Sequence, residues 1–259
     1  IGDNMKAVVS VLAPCASFHF STLEEYYTGG LFLGPFNGVT DGSAAVYFTM
    51  FFMAIAGNDF WRWPVANSGT PNEILLVDIM VFLNVIIQTA IVIMCLKNMF
   101  DHQRKELGEN EVTGEPLNNK DLVVQVLGYF IPMVALTLLA LMGKEPIIDY
   151  PDPGSFSPLF YLILLQCLVM AHLTISLQVN HITKSKYSPF KSRLMLLQLS
   201  AVFLIYILHL FDISAFTKAV FSDTILVLFS LQLVFQTHFV LKVIKEVSYA
   251  LEIRVFCVK

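Results

Sequence analysis

The chain has 259 residues, of which 56% are hydrophobic and 14% charged, and its formal net charge is −4. A soluble domain carries about 25% charged residues, so this apolar excess cannot be buried in one water-soluble core, and lipid is the expected solvent. The acidic balance leaves no electrostatic footprint for nucleic acid.

A spanning helix needs about 20 predominantly apolar residues. In chain order, candidates lie at 5–20, 43–58, 73–96, 122–143, 156–178, 194–213 and 220–241. The expected fold is therefore an all-α polytopic transmembrane helix bundle of about seven spans, in a single membrane domain over 1–259. The chain starts at Ile1 with no basic segment ahead of the first apolar run, so no signal peptide is expected, and that short run reads as the stub of a longer span. Between the spans lie turn-forming strings: Gly29-Gly30, Gly34-Pro35, Asn67-Ser68-Gly69-Thr70-Pro71, and the proline-rich stretch 149–154. Segment 97–121, with charges of both signs, reads as the longest solvated connection.

If the spans alternate, segments 97–121, 179–193 and 242–259 share one face. They carry twelve Lys and Arg residues against four on the other face (Lys6, Arg62, Lys144 and Lys218). The positive-inside rule places the twelve, the C-terminus and segment 21–42 on the cytoplasmic side.

Four cysteines (Cys15, Cys95, Cys167, Cys257) stand far apart without CxxC spacing, and the six histidines form no HExxH or HxxxH string, so no zinc site is expected. Polar residues inside the spans include Asp78 near a span's start, Asn84 and Gln88 on one helical face, Gln166 and His172, and Gln232 and Gln236 with His238 nearby. Hydrogen bonding between helices accounts for such residues without a substrate. The sharper alternative is a polar transport path. A transporter would show paired interrupted helices near the midplane, and only Pro132 breaks a central span.

Segment 21–42 is expected to be an interfacial loop. It packs three acids, two tyrosines, three threonines and an asparagine among five glycines, a set able to hold a divalent cation or phosphates through oxygen ligands and close backbone approach. The string Glu24-Glu25-Tyr26-Tyr27-Thr28-Gly29-Gly30-Leu31-Phe32-Leu33, followed by Phe36-Asn37-Gly38-Val39-Thr40-Asp41-Gly42, resembles the eukaryotic choline/ethanolamine phosphotransferases of the CDP-alcohol phosphatidyltransferase family. Their pattern reads W-E-x-[YF]-x-T-x-x-L-x-L, then N-G-P-T-E-G. Here Leu23 replaces the Trp, Val39 the Pro and Asp41 the Glu. A second block, Asn180-His181-Ile182-Thr183-Lys184-Ser185, is similar to A-H-M-T-K-S, and the tail from Leu251 to Lys259 to L-x-I-x-V-F-x-I-K.

The resemblance implies a ten-span protein of the endoplasmic reticulum or Golgi, commonly a homodimer. Such a protein transfers phosphocholine or phosphoethanolamine from a CDP-alcohol to diacylglycerol, with Mg²⁺ or Mn²⁺, giving CMP and a phospholipid at a site open to the cytoplasm. By the same resemblance Glu24, Tyr26, Thr28, Asn37, Thr40 and Asp41 line the mouth of the CDP-alcohol site. The family's metal-holding signature, D-G-x2-A-R-x8-G-x3-D-x3-D, is not found in this chain. In the nearest string, which starts at Asp41-Gly42, Val46 stands for the Arg, Ile55 for the Gly and Trp63 for the last Asp. No catalytic or metal residue is therefore assigned. The expectation is a C-terminal part of such an enzyme. The alternative is an inactive relative serving as a structural or lipid-binding subunit of a membrane complex.

Overall fold

The computed structural model describes residues 5–30, 44, 47–48, 51–52, 54–66, 69, 74–105, 119–142, 158–210 and 218–250. Among the described residues, the helices that can be bounded run in the order α1 (Met5–Thr28), α2 (Asn58–Trp61), α3 (Leu76–Lys105), α4 (Asn119–Met142), α5 (Pro158–Ile182), α6 (Arg193–Leu210) and α7 (Lys218–Ala250). A short antiparallel pair, β1 (Pro64–Ala66) and β2 (Ile74–Leu75), precedes α3, and a 3₁₀ turn at Pro189–Lys191 precedes α6. The described residues are otherwise mostly helical, consistent with the expected all-α bundle.

Among the described residues, five helices are long and apolar enough to cross a membrane: Lys6–Thr28, Leu76–His102, Lys120–Leu139, Pro158–Ile182 and Asp223–Ala250. Their outer faces carry large apolar side chains, among them Phe82, Ile93 and Val234, each about two-thirds exposed, as lipid-facing residues would be. Part of the expected span at 43–58 lies outside the described residues, and the described ones there, such as Tyr47, Phe48, Phe51 and Phe52, are helical except for Gly57.

Three boundaries differ from the sequence reading. Polar residues near the span ends are expected to be loop, but they stay helical, those of α1 and α3 with partners on neighbouring helices and those of α7 within the helix itself. The first helix continues through Thr28 rather than ending at 20. The third runs to Lys105 rather than 96. The last reaches Ala250 rather than 241, with Lys242 and Glu246 paired one turn apart at 3.7 Å.

The chain forms two compact units. The first comprises residues 1–133 and 173–189, and the second 134–172 and 190–259. In the first, α1 packs along α3 in parallel. Ser10 meets Asn84, Ser21 meets Cys95 and Glu24 meets Asn98, each pair 74 residues apart, and a constant offset means that the two chains run the same way. At one end, Asp78 in the first turn of α3 accepts the Leu75 N–H at 3.1 Å and pairs with Lys6. That ion pair is part-exposed, and Lys6→Ala is expected to cost no more than about 1 kcal/mol in equilibrium unfolding.

Pro14 lies inside α1, where it cannot donate to the Ser10 carbonyl. Asn84 Nδ2 reaches that carbonyl instead, at 3.4 Å. Gln88 donates to Asn84 Oδ1 and accepts from Ser17. The Asn84/Gln88 face is thus interhelical glue, as the sequence suggested.

Helix α4 runs against α1, since Tyr27 meets Gln125 whereas Phe20, seven residues earlier, packs on Tyr129. Helix α5 runs with it. His19 meets Thr174, and Tyr26 lies 6.2 Å ring to ring from His181. The C-terminal ends of α1, α3 and α5 and the N-terminal end of α4 therefore meet at one end of the unit. In the second unit α7 runs parallel to α5, because Leu168 meets Gln232 and His172 meets Gln236. Around them, Gln166 donates to Thr137, Gln198 to Gln232, and Tyr206 to the Ala135 carbonyl. His238 is exposed on α7 and takes no part in this polar set.

Candidate functional site

The shared end of the first unit holds the residues that the sequence singled out. Helix α1 ends where Gly29 enters the left-handed region (φ 70°) and its N–H donates to the Glu25 carbonyl at 2.9 Å, a glycine C-cap. The last two turns before it carry Glu24, Tyr26, Tyr27 and Thr28. Thr28 is spent on the helix end, its hydroxyl 2.8 Å from the Glu24 carbonyl and 3.0 Å from that of Gly30.

Glu24 is 3% exposed. Asn98 Nδ2 donates to its Oε1 at 2.8 Å, and the Cys95 thiol lies beside the carboxylate, itself 3.7 Å from Ser21. No described cation forms an ion pair with it. A buried carboxylate held by one neutral amide is an uncommon arrangement, because buried charges are ordinarily paired.

Tyr26 and Tyr27 point at the connection that follows α5. That helix ends in a Schellman motif. The Ser185 N–H donates to the Asn180 carbonyl at 2.9 Å and the Lys184 N–H to that of His181 at 3.1 Å, with Lys184 left-handed at φ 51°. Asn180, Thr183 and Ser185 tie the cap further, through Ser185 Oγ to Asn180 Oδ1 at 2.7 Å and Thr183 Oγ1 to Ser185 Oγ at 2.8 Å. A β-carbon in the left-handed region costs roughly 1–2 kcal/mol. Lys184→Gly is therefore expected to raise stability by about 1 kcal/mol in thermal or chemical unfolding.

Beyond the cap the chain turns back against the helices, and its backbone needs donors and acceptors there. The Tyr26 hydroxyl donates to the Ser185 carbonyl at 3.1 Å and accepts the Tyr187 N–H at 3.0 Å. Gln125 Nε2 donates to the Tyr187 carbonyl at 2.9 Å, while Gln125 Oε1 accepts from the Tyr27 hydroxyl at 2.8 Å. Two side chains, Tyr26 of α1 and Gln125 of α4, thus do what a strand partner does elsewhere, with Tyr27 holding Gln125 in place. The Tyr187 side chain is buried beneath them, its hydroxyl 3.5 Å from the Leu173 carbonyl, and burial pushes its pKa up. Lys186 pairs outward with Asp121 at 2.8 Å.

Of the residues proposed to contact substrate, the structure brings Glu24, Tyr26 and Thr28 together at the end of α1. Asn37, Thr40 and Asp41 lie outside the described residues. Asn98, Gln125 and Tyr187 join the site without a sequence signal as clear as a motif, although a lone glutamine early in an apolar run, as at Gln125, was a usable hint. Among the described residues no group of three His, Cys, Asp or Glu side chains is placed to hold a metal. Glu24 alone, committed to Asn98, does not make a site for Mg²⁺ or Mn²⁺. Set against known proteins, the chain matches no family model, no curated protein and no solved structure.

Proposed function

We propose that this chain is part of a CDP-alcohol phosphotransferase, and that in a longer chain carrying the metal-binding signature it transfers phosphoethanolamine or phosphocholine to diacylglycerol, releasing CMP. One observation carries the reading. Two of the sequence blocks that resemble the family, one around Tyr26 and one ending at Ser185, are separated by 159 residues and are hydrogen-bonded to each other. Motifs far apart in sequence that meet at one end of a bundle are what a shared site requires. In this reading Glu24, Asn37, Thr40 and Asp41 face the CDP-alcohol, and the Tyr26–Tyr187 contact fixes the floor beneath it. Mg²⁺ or Mn²⁺ is held by carboxylates of the missing signature.

The same reading adds 43–58 and α6 (Arg193–Leu210) to the five as membrane spans, for about seven in all. Its support is the parallel pairing of α1 and α3. The end that carries Lys97, Lys120, Lys184 and Lys186 faces the cytoplasm, in the endoplasmic reticulum or Golgi, and a homodimer is the expected assembly.

The test is to isolate the native protein, sequence its N-terminus, and assay CMP release from CDP-ethanolamine and CDP-choline with diacylglycerol. Expected is a mass well above 29.1 kDa, a D-G-x2-A-R string upstream of Ile1, and CMP release that stops on chelation. A native chain beginning near Ile1 that releases no CMP would overturn the enzyme and leave the structural or lipid-binding subunit.

A further inference from the structure

The second unit holds a chain of polar side chains that the phosphotransferase reading does not use. His172 lies on α5, with its ring packed at 4.9 Å against Phe239 of α7. Its Nδ1 is 3.2 Å from Gln236 Oε1 and its Nε2 is 3.1 Å from Ser192 Oγ. Gln236 Oε1 can only accept, so Nδ1 carries the proton and Nε2 is the bare nitrogen. Ser192 O–H therefore donates to Nε2. A hydroxyl hydrogen-bonded to a histidine whose other nitrogen is oriented by a third group is the geometry of an activated nucleophile.

Ser192 also occupies the N-cap position of α6, since the Leu196 N–H donates to its carbonyl at 3.2 Å. An N-cap serine ordinarily turns its hydroxyl onto the first-turn amides. Here that hydroxyl is directed to His172. The N–H groups of Arg193, Leu194 and Met195 have no acceptor within the helix. They stand next to Ser192, where negative charge on an adduct would develop.

We infer that Ser192, His172 and Gln236 form a second, serine-nucleophile site that accepts the acyl ester of a membrane lipid. A lipid is the fitting substrate because His172 lies within a spanning helix and the half-exposed Leu196 flanks the serine one turn along α6. Ser192 Oγ attacks the ester carbonyl as its proton passes to His172 Nε2. Collapse of the adduct breaks the ester C–O bond, and the same proton leaves on the departing alcohol. Water, deprotonated by His172, then releases the fatty acid and regenerates Ser192. Gln236 is a positioning residue that fixes the tautomer. None of this rests on the phosphotransferase reading.

The test uses the whole chain in phosphatidylcholine nanodiscs and an alkyl fluorophosphonate. In that reaction Ser192 Oγ bonds to phosphorus, fluoride leaves, and His172 takes the proton. Site-resolved mass spectrometry compares Ser192 with Ser230, an exposed serine of α7 bonded only to the Leu226 carbonyl. Ser192 is expected to be labelled about 100-fold faster than Ser230, the scale of general-base assistance, and Ser192→Ala removes the adduct. His172→Gln brings the Ser192 rate down to that of Ser230. Gln236→Glu keeps an acceptor at Nδ1 and retains the rate, whereas Gln236→Ala loses it. Labelling of Ser192 no faster than Ser230 in the unsubstituted protein would overturn the site without needing any variant to fold. Equal losses in the two Gln236 variants would remove Gln236 from it.

Discussion

Tyr26→Phe is expected to destabilise the protein by about 2–4 kcal/mol and to expose the connection after α5 to protease. The ring stays and only the hydroxyl goes, so packing is nearly unchanged. What is lost is an acceptor for the Tyr187 N–H and a donor for the Ser185 carbonyl. Hydrogen bonds between side chains of membrane helices average only about 0.6 kcal/mol, because the separated helices find other partners. That average does not govern here. The Tyr187 N–H is buried, where an unsatisfied group costs about 1–3 kcal/mol, and the Ser185 carbonyl, on an exposed residue, forfeits a bond of about 0.5–1.5 kcal/mol. Tyr27→Phe is the control. It removes one side-chain bond to Gln125 and is expected to cost about 1 kcal/mol. Unfolding in mixed micelles gives the energies, and trypsin cleavage after Lys184 and Lys186 reports the local opening. A Tyr26→Phe protein as stable as the parent and cut at the parent's rate would refute the account of the loop.

The apolar runs were legible as helices because lipid allows a spanning segment no other way to satisfy its backbone. Composition alone located α4 and α5 to within a few residues at most of their ends. The ends of α1 and α3 escape such a profile because their polar residues are buried against other helices, and that of α7 because an exposed, charged helix continues beyond the apolar run. Glu24, Tyr27 and Asn98 look like interfacial residues in a one-dimensional profile, yet each is paired with a side chain 74 to 98 residues away, and no local pattern encodes that distance.

The block ending at Ser185 was legible as a motif but not as a shape. Its Schellman cap places a lysine where glycine is the usual residue, so the ordinary turn signal was missing. The Ser192–His172 contact was hidden for a different reason. Ser192 reads as a routine helix N-cap, and nothing in the sequence announces that its hydroxyl is engaged elsewhere.

Asn98→Leu is expected to cost about 3 kcal/mol, more than the loss of both members of its pair. Asn98 supplies an N–H to a carboxylate that is almost entirely inaccessible to solvent. A hydrogen bond to a charged group contributes about 1.5–3 kcal/mol, and a buried charge deprived of its partner costs about 3–5 kcal/mol. Removing the charge as well removes the penalty. Glu24→Leu combined with Asn98→Leu should therefore recover most of the stability, with a coupling of about 2 kcal/mol in the double-mutant cycle. Strict additivity would mean that the two side chains do not interact, and the pair would then explain nothing.

Glu24→Gln separates structure from function at the same position. The amide oxygen still accepts from Asn98, so unfolding should be unchanged to within about 1 kcal/mol, while the negative charge is gone. If Glu24 meets the CDP-alcohol as proposed, the full-length enzyme carrying Glu24→Gln keeps its fold and loses apparent affinity for the CDP-alcohol. If the carboxylate only ties α1 to α3, stability and apparent affinity both stay where they were, and Glu24 leaves the proposed site.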